Sequence, residues 1–173
     1  MKHVFAIFTF VVVIACTCNS CVNAQAIDEN VKNSIQEDKM SIQKTYQFIK
    51  DAGHYFIATV DKDQPRVRPF GTIHIFENKL YIQTGRSKNV AKQLIANGKV
   101  ELCTMKGDEW IRVSGILVDD NRREPKASLL DEYPSLKSMY SADDDNTMVL
   151  YFKPGTVSAT VYSFKHKPIV MNF

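Results

Sequence analysis

Two arginines stand two residues apart in Arg66-Val67-Arg68-Pro69-Phe70-Gly71. In an extended segment their side chains share one face, because strand side chains alternate. Neighbouring guanidinium groups repel unless an anion or acidic groups lie between them. A phosphate ester suits the planar, bidentate Arg fork. The bland counterpart is an exposed face that solvates two charges. Pro69 removes a backbone donor, so the strand is expected to be interrupted or at a sheet edge here. The second candidate is Gln83-Thr84-Gly85-Arg86-Ser87-Lys88-Asn89, where a strand gives way to a helix. Free N–H groups and the positive end of the helix dipole gather at such a junction and favour an anion. Ser87 is the expected N-cap, and Arg86 and Lys88 add charge. Simple capping of a surface helix explains the same residues without a ligand. A third candidate is Trp110-Ile111-Arg112-Val113-Ser114-Gly115, with Trp110 and Arg112 on one strand face. Trp110 suits stacking on a planar ring, or an ordinary core or interface position. Arg112 has Glu101 and Glu109 near it as pairing partners.

Other chemistry-bearing residues form no recognisable set. His54, His74 and His166 lie far apart without ligand spacing and read as structural. Asp143-Asp144-Asp145 lacks the Gly and Glu of a calcium loop and reads as a solvated acidic turn. Cys16, Cys18 and Cys21 have no distant second ligand pair, so no metal site is expected. Cys103 lies in an apolar alternation and reads as a core thiol rather than a nucleophile. No G-x-S-x-G, H-E-x-x-H, Walker A or G-x-G-x-x-G motif occurs.

The elements that must position these groups follow from composition and periodicity. The chain has 173 residues, 45% apolar and 24% charged, which suits one globular domain with a real core. A net charge of +3 is too small for a dedicated nucleic-acid binder. Residues 1–24 read as an export signal: Lys2 and His3, an apolar run over 4–15, and Val22-Asn23-Ala24 before Gln25. Alternatively, Val13-Ile14-Ala15-Cys16 resembles a lipobox with Cys16 as the acylated residue. Either route, in a bacterial source, predicts a periplasmic protein or a lipoprotein that meets the membrane only through its lipid anchor. Cleavage after Ala24 leaves Cys103 as the single cysteine and excludes an internal disulfide. Residues 25–37 read as a polar tether. Met40, Ile42, Tyr46 and Ile49 predict a helix over 38–52 closed by Gly53. Strands are expected at 54–61, 66–76 and 80–84 as an antiparallel meander. A helix over 87–97 follows, with Val90, Leu94 and Ile95 inward. A hairpin of 100–105 and 110–118 comes next, then a helix over 120–133 and a helical turn over 134–140. Strands at 147–152 and 156–164 and a tail over 165–173 complete the chain. The pattern predicts a mainly β fold, an antiparallel barrel with inserted helices.

The order of FIATVDKDQPRVRPFG, LYIQTGRSKNVAKQL, WIRVSG and EYPSLKSMYSADD resembles the pyridoxamine 5′-phosphate oxidase-like family of split β-barrel flavoproteins. Within it, the chain is most similar to a small bacterial branch near the nitroimidazole-resistance group. The resemblance covers about residues 42–164 and makes 38–164 the FMN-binding domain. It implies FMN at a homodimer interface. The stretch matching Arg68, Pro69, Phe70 and Gly71 runs beside the flavin ring and phosphate, with Arg66 close in sequence. Gln83 and Thr84 match the strand end that meets the flavin. Ser87, Lys88 and Asn89 match a Ser-Arg-Lys phosphate element, with one charge fewer at Asn89. Trp110 falls where the family often carries a flavin-contacting Gln. The resemblance thus implies an exported FMN-dependent oxidoreductase acting on a small molecule. The alternative is a non-catalytic binder of FMN, haem or the deazaflavin F420 on the same fold. The Arg-rich substrate element and C-terminal Arg-x-His of true pyridoxamine phosphate oxidases are missing, so vitamin B6 oxidation is not expected. Arg68, Ser87 and Lys88 are expected to meet the phosphate, on the premise that strands 66–76 and 80–84 pair with each other.

Overall fold

The computed structural model describes residues 19–173, with side chains from residue 29. The apolar run 4–15 and Cys16, on which the export reading rests, lie outside the described residues. By its contacts the chain divides into two units, 1–34 and 35–173. Of the first unit, only helix is described.

Helix α1 spans Asn19–Ala52. The stretch read as a tether, 25–37, is therefore helical. It contains no Gly or Pro, and its Gln, Glu, Lys and Ala residues are good helix formers. In the second unit α1 buries Ile42, Thr45 and Ile49, one helix face, while Met40 is exposed. Gly53 ends the helix as expected, at φ +80° and with its N–H on Ile49 O at 3.2 Å.

The strands are β1 (Tyr55–Asp61), β2 (Gln64–Phe70), β3 (His74–Phe76), β4 (Lys79–Gly85), β5 (Lys99–Lys106), β6 (Glu109–Asp120), β7 (Thr147–Phe152), β8 (Ser158–Ser163) and β9 (Ile169–Asn172). Helix α2 (Asn89–Ala96) follows β4. Helix α3 (Arg123–Glu132) and a 3₁₀ turn (Pro134–Ser138) follow β6. The sheet order is β2-β1-β5-β6-β7-β4-β3, with β8 on β6 and β9 on β8, every pair antiparallel. Long strand β6 serves both halves: its first part pairs with β5 and β8, and Leu117–Asp120 pairs with β7. Near the changeover, a Cβ on Gly115 would stand 2.9 Å from Phe152 Cδ1, so only glycine allows this close approach. This is a split antiparallel barrel with helices inserted between its strands. Ile57, Leu102, Ile111, Val113, Ile82, Met148 and Phe152 fill its core. Tyr81, Leu129 and Val149 form a smaller cluster around α3.

Four expectations are corrected. The strand expected over 66–76 is two strands, because the chain leaves β1 after Phe70 and joins β4 from His74. Ile95 is 62% exposed, and α2 instead buries Val90, Ala91, Gln93 and Leu94, a face one residue round the helix. The tail 165–173 contains β9 and buries Met171 and Phe173 against β8 and Val157. Cys103 is half-buried on the outer sheet face between Phe56 and Arg112, not in the core.

Candidate functional site

The break in the expected long strand creates the site. Segment 71–73 crosses from one half of the barrel to the other, and side chains pin it at each step. Tyr55 Oη donates to Thr72 O at 2.8 Å. Thr72 Oγ1 accepts from Gln83 N at 3.1 Å. Tyr133 Oη accepts from Ile73 N at 3.0 Å and donates to Ile73 O at 2.9 Å. Over this crossing opens a cleft of about 500 Å³. Arg68, Pro69, Phe70 and Gly71 line one side and Gln83, Thr84, Lys88 and Val90 another. His54, Thr72, Tyr133, Ser135, Leu136, Met139 and Tyr140 complete the wall.

Of the residues singled out in the sequence, Arg68, Pro69, Phe70, Gly71, Gln83, Thr84 and Lys88 thus meet in one cleft. The route differs from the expected one. Strand β2 pairs only with β1, and β4 pairs with β3 and β7, so Arg68 and Lys88 converge across the split rather than along a ladder. The edge position of β2 agrees with Pro65 and Pro69, which offer no ladder donor. Arg66 and Arg68 share a face, opposite buried Thr59 and Ile57. Arg66 nevertheless stays outside the cleft, exposed and 3.5 Å from Asp61.

Ser87 is not the cap. Lys88 occupies the N-cap of α2 without a side-chain capping bond, and the Ser87 N–H goes to Asn146 Oδ1 at 3.0 Å. Asn146 O also accepts from Arg86 N at 2.6 Å, so the 85–88 turn is shaped by a residue that sequence spacing does not reveal. Neither Ser87 nor Asn89 lines the cleft, and Arg86 turns to Asp119 at 2.8 Å. Trp110 is also not among the lining residues. It stacks on Tyr162 with centroids 5.4 Å apart and an interplanar angle of 12°, and Arg112 pairs with Glu101 at 2.6 Å.

The cleft wall contributed by Tyr133 is backed by a polar cluster. Glu132 accepts from Lys50, from Tyr46 Oη at 2.7 Å and from His74 Nδ1. His74 Nε2 meets Ser128 Oγ at 2.9 Å, and Lys50 Nζ donates to Tyr133 Oη at 3.0 Å. Burial pushes the Glu132 carboxyl up, but the bonds from Lys50, Tyr46 and His74 outweigh it and hold it below the usual range. Tyr46 is pushed up to about 12, first by burial and then by its bond to Glu132. These groups hold α1, α3 and β3 together.

The electrostatics of the cleft are one-sided. Among the described residues its lining includes Arg68 and Lys88 and no Asp or Glu. Burial, and then Arg66, lower the Arg68 pKa. Lys88 Nζ stands 5.8 Å from the Tyr140 ring centroid. Among the described residues no group of three His, Cys, Asp or Glu is placed to hold a metal. The donor set therefore suits an anion attached to a planar or apolar body: two cations, polar Thr72, Gln83 and Thr84, and aromatic or apolar Phe70, Leu136, Met139 and Tyr140.

A family model described as pyridoxamine 5′-phosphate oxidase matches residues 42–160, which contain all but the outermost parts of this barrel. The chain belongs to the pyridoxamine 5′-phosphate oxidase family. A NimC/NimA family protein from Clostridium acetobutylicum is 39% identical. That match covers 80% of this chain and 96% of the other, with a TM-score of 0.76. An FMN-binding protein related to pyridoxamine 5′-phosphate oxidase, from Nostoc punctiforme, shares the fold at 14% identity and a TM-score of 0.51. There 76% of this chain and 94% of the other are covered. A haem-binding protein from Mycobacterium smegmatis shares it at 9% identity and a TM-score of 0.59, over 76% of this chain and 57% of the other. No curated protein matches the chain.

Proposed function

We propose that the cleft binds FMN and that the protein is an FMN-dependent oxidoreductase acting on a small molecule. The observation that carries this reading is a cleft with two cations and no carboxylate, in a chain of this family. Arg68 and Lys88 hold the phosphate, and the polar and aromatic lining receives the ring. Bound FMN supplies hydride chemistry; the chain's own residues bind, orient and exclude water. No acid–base pair is then required of the protein. Vitamin B6 oxidation is not part of the proposal, because the Arg-rich element and Arg-x-His are missing.

The working form is a homodimer. Phe56 and Met105 are 57% and 65% exposed on the outer sheet face, beside Trp110 and Tyr162. A two-fold contact across this face would bury them. The protein is exported, as the apolar run 4–15 indicates. Cleavage after Ala24 would shorten α1 and leave its buried positions, Ile42, Thr45 and Ile49, in place. One observation favours haem as a second reading: His54 brings an imidazole to the cleft, with no hydrogen-bond partner for its ring among the described residues.

The purified protein should carry flavin bands or take up FMN on titration, and nicotinamide cofactors should reduce it anaerobically. A Soret band would favour haem, and a protein that takes up neither cofactor would overturn both readings. Light scattering at micromolar concentration should give a dimer; a monomer sinks the two-fold interface. Mass spectrometry of native protein should find Gln25 first or a lipid on Cys16, and an intact Met1 would refute export.

A further inference from the structure

Arg68 reaches the cleft from β2, and neutral oxygens hold its guanidinium from behind. Its Nη2 donates to Gln93 Oε1 at 2.7 Å, and its Nη1 donates to Thr59 Oγ1 at 2.6 Å. The Thr59 hydroxyl in turn donates to the same Gln93 Oε1 at 2.7 Å. Two donors therefore converge on one amide oxygen, which fixes the orientation of the amide. Turned over, it would set its own N–H groups against those of Arg68. Thr59 is 2% exposed and Gln93 9%.

The choice of partner is unusual within this chain. Arg66, Arg86, Arg112, Arg122 and Arg123 each meet an Asp or Glu carboxylate. Arg68, more buried than most of them, meets only neutral oxygens among the described residues. A glutamate at position 93 would have the same length and shape and would bind the guanidinium more strongly. It would also cancel the charge, in a cleft whose lining carries no acid of its own. The amide instead orients the fork and leaves its charge for something else.

We propose that Gln93, which does not itself line the cleft, is a positioning residue that fixes the Arg68 fork while keeping its charge available to an anionic ligand. On the FMN reading above, on which this inference rests, that anion is the phosphate. Gln93 thereby makes the cleft select the phosphorylated flavin over riboflavin.

The test titrates FMN and riboflavin, by flavin fluorescence, into the full chain and into Gln93→Glu and Gln93→Met. Losing the free charge of one charge-assisted contact corresponds to about a ten- to hundred-fold change in affinity. Gln93→Glu should weaken FMN by that factor and leave riboflavin within about twofold. Gln93→Met adds no charge, so it should weaken FMN by less than Glu does, again sparing riboflavin. A merely structural clasp predicts the opposite: both flavins weaken together, and Met does at least as much harm as Glu. That result, or a Gln93→Glu variant that binds FMN like wild type, overturns the inference. If the Glu variant does not fold, the Met variant decides through the same FMN-to-riboflavin ratio. A wild type that binds both flavins equally overturns this inference and the placing of the phosphate at Arg68 and Lys88, while the FMN reading of the cleft stands. A wild type that binds neither overturns the FMN reading and this inference with it.

Discussion

Glu132 is the side chain on which the wall behind the cleft depends. It receives Lys50 and Tyr46 from α1 and His74 from β3, and it stands next to Tyr133, whose hydroxyl holds both polar groups of Ile73. Glu132→Ala strips acceptors from three donors at once. Removing one partner from a buried charge pair costs about 3–5 kcal/mol, and a hydrogen bond to a charged group is worth about 1.5–3. Here the Glu132 side chain is 24% exposed and that of Lys50 34%, so water replaces part of the loss. About 2–4 kcal/mol is expected for Glu132→Ala. Glu132→Gln keeps an acceptor but loses the charge, and about 1–2 kcal/mol is expected. For a domain of this size the Ala variant should melt about 5–15 °C lower. Urea unfolding of wild type, Glu132→Ala and Glu132→Gln measures both, with an unchanged slope as the check that only stability moved. If the Ala variant unfolds within about 0.5 kcal/mol of wild type, the cluster is a solvated surface group and the account of the cleft wall is wrong.

Lys88→Ala should weaken FMN about ten- to hundred-fold, whereas Arg66→Ala, outside the cleft, should change it by less than about threefold; equal losses in the two titrations would break the assignment. Asp120 is held down at about 2, chiefly by the Arg122 hydrogen bond against opposing burial. Its folded-state pKa lies below the ordinary 3.8, so its contribution is whole above about pH 4 and is lost as pH falls towards 2. Acid titration followed by circular dichroism should show wild type losing on the order of 1–2 kcal/mol more than Asp120→Asn in that window, since the other carboxylates titrate in both. Gly98→Ala would set a Cβ 2.6 Å from Leu117 O, the carbonyl of a residue whose own N–H bonds Gly98 O at 2.8 Å. A loss of about 1–3 kcal/mol is expected in the same urea assay, and a neutral result would mean the β6 backbone yields freely.

Local signals were enough for most elements and for the family. Gly53 marks the end of α1, Gly107 the β5–β6 turn and Pro154-Gly155 the turn before β8, because turn chemistry and side-chain period act over a few residues. The same locality put Arg68, Pro69, Phe70, Gly71, Gln83, Thr84 and Lys88 among the candidates, and the order of their motifs pointed to the split barrel that the family match bears out. Tertiary structure decided the rest. Nothing local says that the run 66–76 changes sheets at Gly71, since each half has strand character and only the distant partners β1 and β4 differ. Lys88 rather than Ser87 takes the N-cap, in a turn that Asn146, far along the chain, holds through the N–H groups of Arg86 and Ser87. Tyr133, Met139 and Tyr140 reach the cleft only through the packing of the segment after α3, and Gln93 meets Arg68 only because α2 lies against β1, the strand that pairs with β2. Pattern and turn residues thus determine which segments are strands and helices. Which strand pairs with which, and so which side chains share a cleft, is settled by contacts between residues remote in sequence, which short-range periodicity does not encode.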